Sequence, residues 1–268
     1  MESIPQFFPD LQSVSPAKPI APYLGGKRAL AKRLCAMIAS VPHDLYAEPF
    51  VGMGGVFLGR AARPRHEVIN DLSTDVATLF RILQRHYQPF LDTMKWKLSS
   101  RSEFNRLLRQ DPTTLTDLER SARFLYLQRL AFGGKVTGRG FGVDTSRSRF
   151  NLGTLAPMLD DLHERLQGVT IEALPYDDFI RRYDRQGTLF YLDPPYWGCE
   201  EDYGPGFERA DFQRLATRLQ GLCGRFIMSV GDRPELRDMF SWAVIQEVEL
   251  TYHIGMSPTR ARELIISN

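Results

Sequence analysis

The stretch LYAEPFVGMGG, residues 45–55, decides the fold. Leu45 to Glu48 has the length and apolarity of a short buried strand, and Glu48 closes it. Gly52, Gly54 and Gly55 follow around Phe50. A strand that ends this way leaves backbone bare of side chains, so a flat ligand can approach closely at the carboxyl edge of a sheet. Before it, Leu30, Leu34, Met37 and Ile38 share one face of a helix expected over 28–39. After it, Val68-Ile69 reads as a strand. Val76, Leu79, Phe80 and Leu83 then mark a helix that Ser73 or Thr74 would cap. Further strands are expected near 169–173, 188–192 and 226–230, with a helix over 209–220 that turns Phe212, Leu215, Ala216 and Leu219 inward. Two last strands, near 243–250 and 262–267, flank a polar loop with Gly255 and Pro258 and read as a hairpin. The sum is an α/β fold: a doubly wound, mostly parallel seven-stranded sheet with a C-terminal β-hairpin.

The rest of the chain hangs on that sheet. Residues 1–19 hold four prolines and no periodic pattern, so an irregular tail is expected. Residues 85–165 read as a mainly helical insert between the two parts of the sheet domain, 20–84 and 166–268.

Composition narrows the function. The chain has 268 residues, 43% of them hydrophobic and 25% charged, as in an ordinary globular protein. It contains no apolar run of membrane-spanning length and no signal-peptide pattern, so a cytoplasmic protein without membrane contact is expected. Cys35, Cys199 and Cys223 are odd in number and far apart, which speaks against disulfides and zinc. The histidines His43, His66, His86, His163 and His253 lack ligand spacing, so no metal is expected. The net charge of +2 is too small to announce a nucleic-acid binder, so a phosphate-binding face must come from local clustering.

The glycine loop is not a dinucleotide fingerprint, because Phe57 stands where G-x-G-x-x-G needs its third glycine. No phosphate-cradling G-x-x-x-x-G-K-[ST] occurs either. Asn70-Asp71 ends the next strand, and an acid there can accept both hydroxyls of a ribose. A plain glycine turn beside a helix-capping aspartate would look the same piece by piece; the combination favours a nucleoside site.

A second motif carries the chemistry. Thr188 to Leu192 runs straight into Asp193-Pro194-Pro195-Tyr196. Two prolines give up backbone donors but stiffen an extended exit, which suits a carboxylate and a carbonyl that must be aimed. An exocyclic amino group on a purine is a poor nucleophile, since its lone pair is delocalised into the ring. The Asp193 carboxylate and the Pro194 carbonyl can take its two N–H groups and stabilise the positive charge that develops during attack. Tyr196 would stack on the base. Trp197 would either wall the pocket or simply pack.

EPFVGMGG, Asn70-Asp71 and Asp193 to Tyr196, in that order, resemble the Dam-type DNA adenine (N6) methyltransferase family, with a phage- or prophage-like insert (FGGKVTGRGFGV, 132–143). Tyr23-Leu24-Gly25-Gly26-Lys27 is similar to the family's N-terminal W-x-G-G-K segment, and Leu264 to Asn268 to its closing strand. The resemblance implies a Rossmann-like methyltransferase core and S-adenosyl-L-methionine as cofactor. It implies that Tyr23, Lys27, Glu48, Phe50, Gly52, Gly54, Asp71, Tyr176, Asp178, Phe179 and Asp193 bind that cofactor. It makes Asp193, Pro194, Pro195 and Tyr196 catalytic and the insert a target-recognition region. The expected partner is double-stranded DNA with its adenine flipped out, and the expected state a monomer. N4 of cytosine, an adenine in RNA, or a nucleic-acid-binding relative without catalysis are the alternatives.

The insert is basic where such a region should be. Arg120, Arg123, Arg129, Lys135, Arg139, Arg147 and Arg149 face one acid, Asp144, between Arg120 and Phe150. Arg129, Lys135, Arg139, Arg147 and Arg149 are the expected DNA contacts. Phe124 and Tyr126 among them are expected in the insert's own core.

Overall fold

A computed structural model describes residues 11–27, 29–143, 148–203, 206–254 and 257–268, without the side chains of 202–203, 251–254 and 257–260. In chain order the elements are β1 (Gln12–Ser13), α1 (Ala31–Ser40), β2 (Leu45–Glu48), β3 (Ala62–Arg63), β4 (His66–Asn70), α2 (Thr74–Arg85), α3 (Tyr87–Met94), α4 (Arg101–Arg109), α5 (Asp117–Leu130), α6 (Leu152–Arg165), β5 (Thr170–Glu172), α7 (Tyr176–Tyr183), β6 (Thr188–Leu192), α8 (Arg209–Gln220), β7 (Arg225–Gly231), α9 (Pro234–Met239), β8 (Val244–Ile254) and β9 (Ser257–Ser267).

Among the described residues one sheet has seven strands in the order β5-β4-β2-β6-β7-β9-β8. The five from β5 to β7 run parallel, and β9 lies antiparallel between β7 and β8. The chain goes from β2 outward through β4 to β5, then returns to place β6 on the other side of β2. The order therefore reverses between β2 and β6, and a ligand crevice belongs at the carboxyl ends of those two strands.

Strand alternation sorts the core onto two faces. Tyr46, Ile69, Tyr191 and Ile227 go to one apolar cluster, and their neighbours Ala47, Val68, Phe190 and Phe226 go to the other. The first cluster continues through Leu79 and Phe80 of α2 into Phe124 and Leu125 of α5 and Leu159 of α6, so the insert's helices pack on the sheet's own helix. Phe124 and Tyr126 are in this core as expected. Arg165 of α6 donates to both oxygens of Glu67 on β4 at 2.7 Å, and Arg60 pairs with the same carboxylate. A buried carboxylate with two guanidiniums is satisfied only while all three stay in place.

Three expectations change. The tail is irregular only in part: residues 1–10 lie outside the described residues, whereas Gln12 and Ser13 pair with Arg63 and Ala62. Ala17 and Ile20 are buried beside the glycine loop, and apolar burial rather than periodicity fixes this stretch. The hairpin strands are longer than expected, pairing out to Ile254 and Ser257, while β7 pairs with β9 only as far as Glu263. Beyond that point the arm pairs with no further strand among the described residues, so no apolar alternation announced it; Gly255 lies outside the described residues. Finally, Ser73 is the N-cap residue of α2 but its hydroxyl makes no cap bond; the Asp71 carboxylate takes the Ser73 N–H instead. Among the described residues no helix is long and apolar enough to cross a membrane, and no cluster of His, Cys, Asp and Glu could hold a metal ion.

Candidate active site

β2 and β6 end side by side, with Leu45, Tyr46 and Ala47 opposite Thr188, Leu189 and Phe190. Glu48 and Asp193 therefore leave the sheet at one place. A cavity of about 1620 Å³ opens there, lined by Tyr23, Lys27, Glu48, the 50–53 loop, Asp71, Tyr176 and Asp193 to Pro195, among others. Pockets for one small molecule measure about 300–1,000 Å³, so this one has room for a second ligand.

The glycine loop forms the floor. Gly52 has φ +50° and Gly54 φ +75°, a region that favours glycine, but Gly54, expected as a cofactor residue, turns towards Leu58 and lies outside the cavity lining. A Cβ on Gly52 would lie 3.0 Å from Tyr23 Cδ1, so the Tyr23 ring packs directly on the bare backbone. Gly52 N–H donates to Asp71 Oδ2 at 2.9 Å, and Ser73 N–H donates to Asp71 Oδ1 at 2.9 Å. Each carboxylate oxygen keeps a second lone pair for a ribose hydroxyl. Burial pushes the Asp71 carboxyl up to about 6. Asn70 locks the strand ends together: its amide donates to Pro49 and Leu174 carbonyls and accepts the Leu174 N–H.

At one side of the cavity Phe50, Tyr176 and Phe207 form a mutual aromatic group, with ring centroids 5.5–5.7 Å apart. Tyr176 is fixed by its hydroxyl, which donates to Asp211 Oδ1 at 2.7 Å. Phe207 was not foreseen, since it stands in a loop with no pattern. Asp178 and Phe179 do not share this place. Asp178 is exposed and paired with Arg181, while Phe179 is fully buried against Tyr183. The first turn of α7 aims only Tyr176 at the cavity, because successive helical residues point about 100° apart.

Asp193 and its surroundings make the other end of the cavity. Lys27 Nζ lies 3.0 Å from Asp193 Oδ1 and 3.2 Å from Glu263 Oε2. It also donates to the Tyr196 hydroxyl at 2.6 Å, and that hydroxyl donates to Glu263 Oε1 at 2.8 Å. Lys27, expected as a cofactor residue, is thus tied to the carboxylate of the DPPY motif. Tyr196, expected to stack on a base, lies outside the cavity lining, with the Lys27 ammonium 4.3 Å from its ring centroid. The cause in both cases is Glu263, which was not foreseen; the only hint was a carboxylate opening the apolar run ELIIS. Burial pushes the Asp193 carboxyl up to about 6, against the pull of Lys27. Glu48 is buried more deeply than Asp193, accepts from Tyr46 Oη at 2.5 Å, and is pushed up to about 8 by that burial. Trp197 packs on Phe212, with the Arg209 guanidinium 5.0 Å from its ring centroid, outside the cavity lining.

The basic residues of the insert separate into kinds. Arg129 and Arg149 line the cavity, but each also holds backbone: Arg129 donates to Ile20 O and Arg149 to Ala131 O. Arg139 is a brace rather than an outward cation. It donates to Lys135 O and Gln128 Oε1, and its guanidinium lies 5.4 Å from the Phe124 centroid. Lys135 is exposed, on the 131–141 loop that an Ala131–Phe141 bridge closes. Arg147 lies outside the described residues. Phe132, on the same loop, is 64% exposed, and its neighbours Gly133 and Gly134 line the cavity.

A family model described as D12 class N6 adenine-specific DNA methyltransferase matches residues 23–254. Type II methyltransferase M.CviBI of Paramecium bursaria Chlorella virus NC1A is 24% identical over 254 residues, covering 92% of this chain and 96% of that protein. A DNA adenine methylase of Haemophilus influenzae is 23% identical over 292 residues, covering 96% of each. The DNA N-6-adenine-methyltransferase of Escherichia phage P1 is 24% identical over 219 residues, which is 72% of this chain and 27% of that protein. The family match spans both strand ends that build the cavity and all of the insert, so the chain belongs to the D12 class N6 adenine-specific DNA methyltransferases and methylates adenine in DNA.

Proposed function

We propose that S-adenosylmethionine is the methyl donor, seated along the glycine loop, and that the target adenine is extruded from double-stranded DNA to meet Asp193. The observation that carries this is the single cavity holding both the Asp71–Gly52 cradle and the Asp193-Pro194-Pro195 exit, with volume for two ligands. The residues suit that cofactor. Asp71 offers acceptors for a ribose diol, Phe50 and Tyr176 offer ring faces for an adenine, and Glu48 and Asp193, in the same cavity lining, would hold its cationic groups. When bound, S-adenosylmethionine supplies an electrophilic methyl group on a sulfonium.

This chain's own residues do the remaining work. Asp193 and the Pro194 carbonyl accept the two N–H groups of the target amine and stabilise charge that grows on it. The Asp193 carboxylate, still one acceptor after Lys27 has taken Oδ1, must be ionised to do so. Pro194 and Pro195 wall the pocket and carry no N–H that would compete with the amine. Extruding a base costs a few kcal/mol, and exposed Phe132 fills the gap it leaves while Lys135 and the cavity-lining Arg129 and Arg149 take backbone phosphates.

The test is incubation with tritiated S-adenosylmethionine and plasmid DNA, with methylated bases mapped by long-read sequencing. Label incorporated as N6-methyladenine supports the assignment. No label, or label on another base, overturns it.

A further inference from the structure

Around Asp193 every donor of the Lys27 ammonium has a partner: Asp193 Oδ1, Glu263 Oε2 and the Tyr196 hydroxyl. Glu263 closes the ring by accepting from Tyr196 through its other oxygen. Glu263 is 2% exposed, at the register where β9 faces Gly231 at the end of β7. It also lies beyond the stretch matched by the family model, which ends at residue 254. Two carboxylates therefore share one buried ammonium, and only one of them lines the cavity.

We propose that Glu263 is a positioning residue for methyl transfer: by drawing Lys27 and Tyr196 to itself, it keeps the ammonium on one oxygen of Asp193 and leaves the other for the target amino group. This rests on the reading that Asp193 receives that amine. The geometry gives the reason. An ammonium that lost its Glu263 contact would have one buried donor unpaired, a cost it can relieve only by reaching across the Asp193 carboxylate. The acceptor needed by the substrate would then be taken by the enzyme's own lysine. Glu263 also opposes the charge of Asp193, so it keeps Lys27 from neutralising that carboxylate fully. The other groups facing Asp193 are Glu48 at the end of β2, Tyr191 of β6, and Ser229 of β7, which pulls its pKa down and whose hydroxyl is paired with that of Tyr191 at 2.8 Å.

The variant to test is Glu263→Gln, which keeps the shape but drops the charge and one acceptor, beside Glu263→Asp and Asp193→Ala. In Glu263→Gln, kcat should fall roughly thirtyfold or more while S-adenosylmethionine affinity by calorimetry moves less than about threefold. In the cofactor-free protein labelled with carbon-13 at the aspartate carboxyl, the Asp193 resonance should titrate at lower pH than in the parent. Glu263→Asp, which restores the charge, should return that midpoint to the parent position. Near-parent kcat and an unmoved Asp193 midpoint in Glu263→Gln would overturn the proposal. So would a loss explained wholly by a smaller folded fraction, measured by thermal melting, with the midpoint unmoved. Asp193→Ala separates the two levels: if it is inactive while Glu263→Gln is not, only the role of Glu263 fails; if it turns over normally, the reading of Asp193 fails as well.

Discussion

The Gly52 amide and the Asp71 carboxylate meet at 2.9 Å, joining the loop after β2 to the end of β4. Asp71→Ala removes that acceptor, the one for Ser73 N–H, and the proposed ribose contact together. Its S-adenosylmethionine affinity should fall roughly ten- to a hundredfold, as expected for one or two lost hydrogen bonds. Calorimetry reads the change, and parent-like affinity would take Asp71 off the ribose.

Tyr23 lies on Gly52, which gives a second expectation. Gly52→Ala places a Cβ 3.0 Å from the Tyr23 ring on backbone with φ +50°. Gly138 has φ +55° but nothing within 4 Å of its Cβ position, so Gly138→Ala carries only the conformational cost of about 1 kcal/mol. Gly52→Ala should melt several degrees below Gly138→Ala and bind cofactor more weakly. Equal melting temperatures would mean that the Tyr23 contact contributes nothing.

Asp193 should set the pH dependence of the reaction. With its carboxyl pushed up to about 6, kcat/KM should rise about tenfold per unit below that pH and level off above it. Asp193→Asn should be low and flat across the same range. A parent profile already level at pH 5 would contradict the assignment.

Glu48 should appear in stability as well as in cofactor binding. Its folded value, about 8, stands above its ordinary 4.5, so the protonated form is the one the fold favours. Its contribution is therefore complete below pH 4.5 and lost as pH rises through about 8. Melting temperature should decline across that window, and Glu48→Gln, which still accepts from Tyr46, should flatten the decline. An identical slope in the two proteins would place the loss elsewhere.

Lys135 and Arg139 divide the insert's cations. Lys135→Ala should reduce the slope of log binding constant against log salt by about 0.9. Arg139→Ala should leave that slope unchanged and cost about 1–2 kcal/mol of stability, because it removes the brace to Gln128 and the contact over Phe124. The opposite pattern would make Arg139 the phosphate contact.

What the sequence made legible follows from locality. Strand β2 and helix α8 carry apolar patterns that stand alone, and both have the expected limits. The glycine loop and the Asp193 turn are contiguous, so their residue types and spacing stood in plain view. Lys27, Tyr196 and Glu263 meet across 236 residues of separation, and no spacing rule reaches that far. Arg139 looked like a phosphate contact because charge is visible in sequence while a cation folded onto Phe124 is not. Asp178 failed for the reverse reason: it stands two residues after Tyr176, which does face the cavity, and only the helix's actual rotation decides between them.

The place of β9 has a consequence for the timing of competence during synthesis. The strand slots between β7 and β8, and it brings Glu263 to residues made more than sixty and more than two hundred positions earlier. A growing chain can emerge with its glycine loop and Asp193 turn already translated yet still lack Glu263, the partner of Lys27 and Tyr196. Such long-range closure is slow compared with helix formation, so acquisition of activity should trail the appearance of helical signal on refolding.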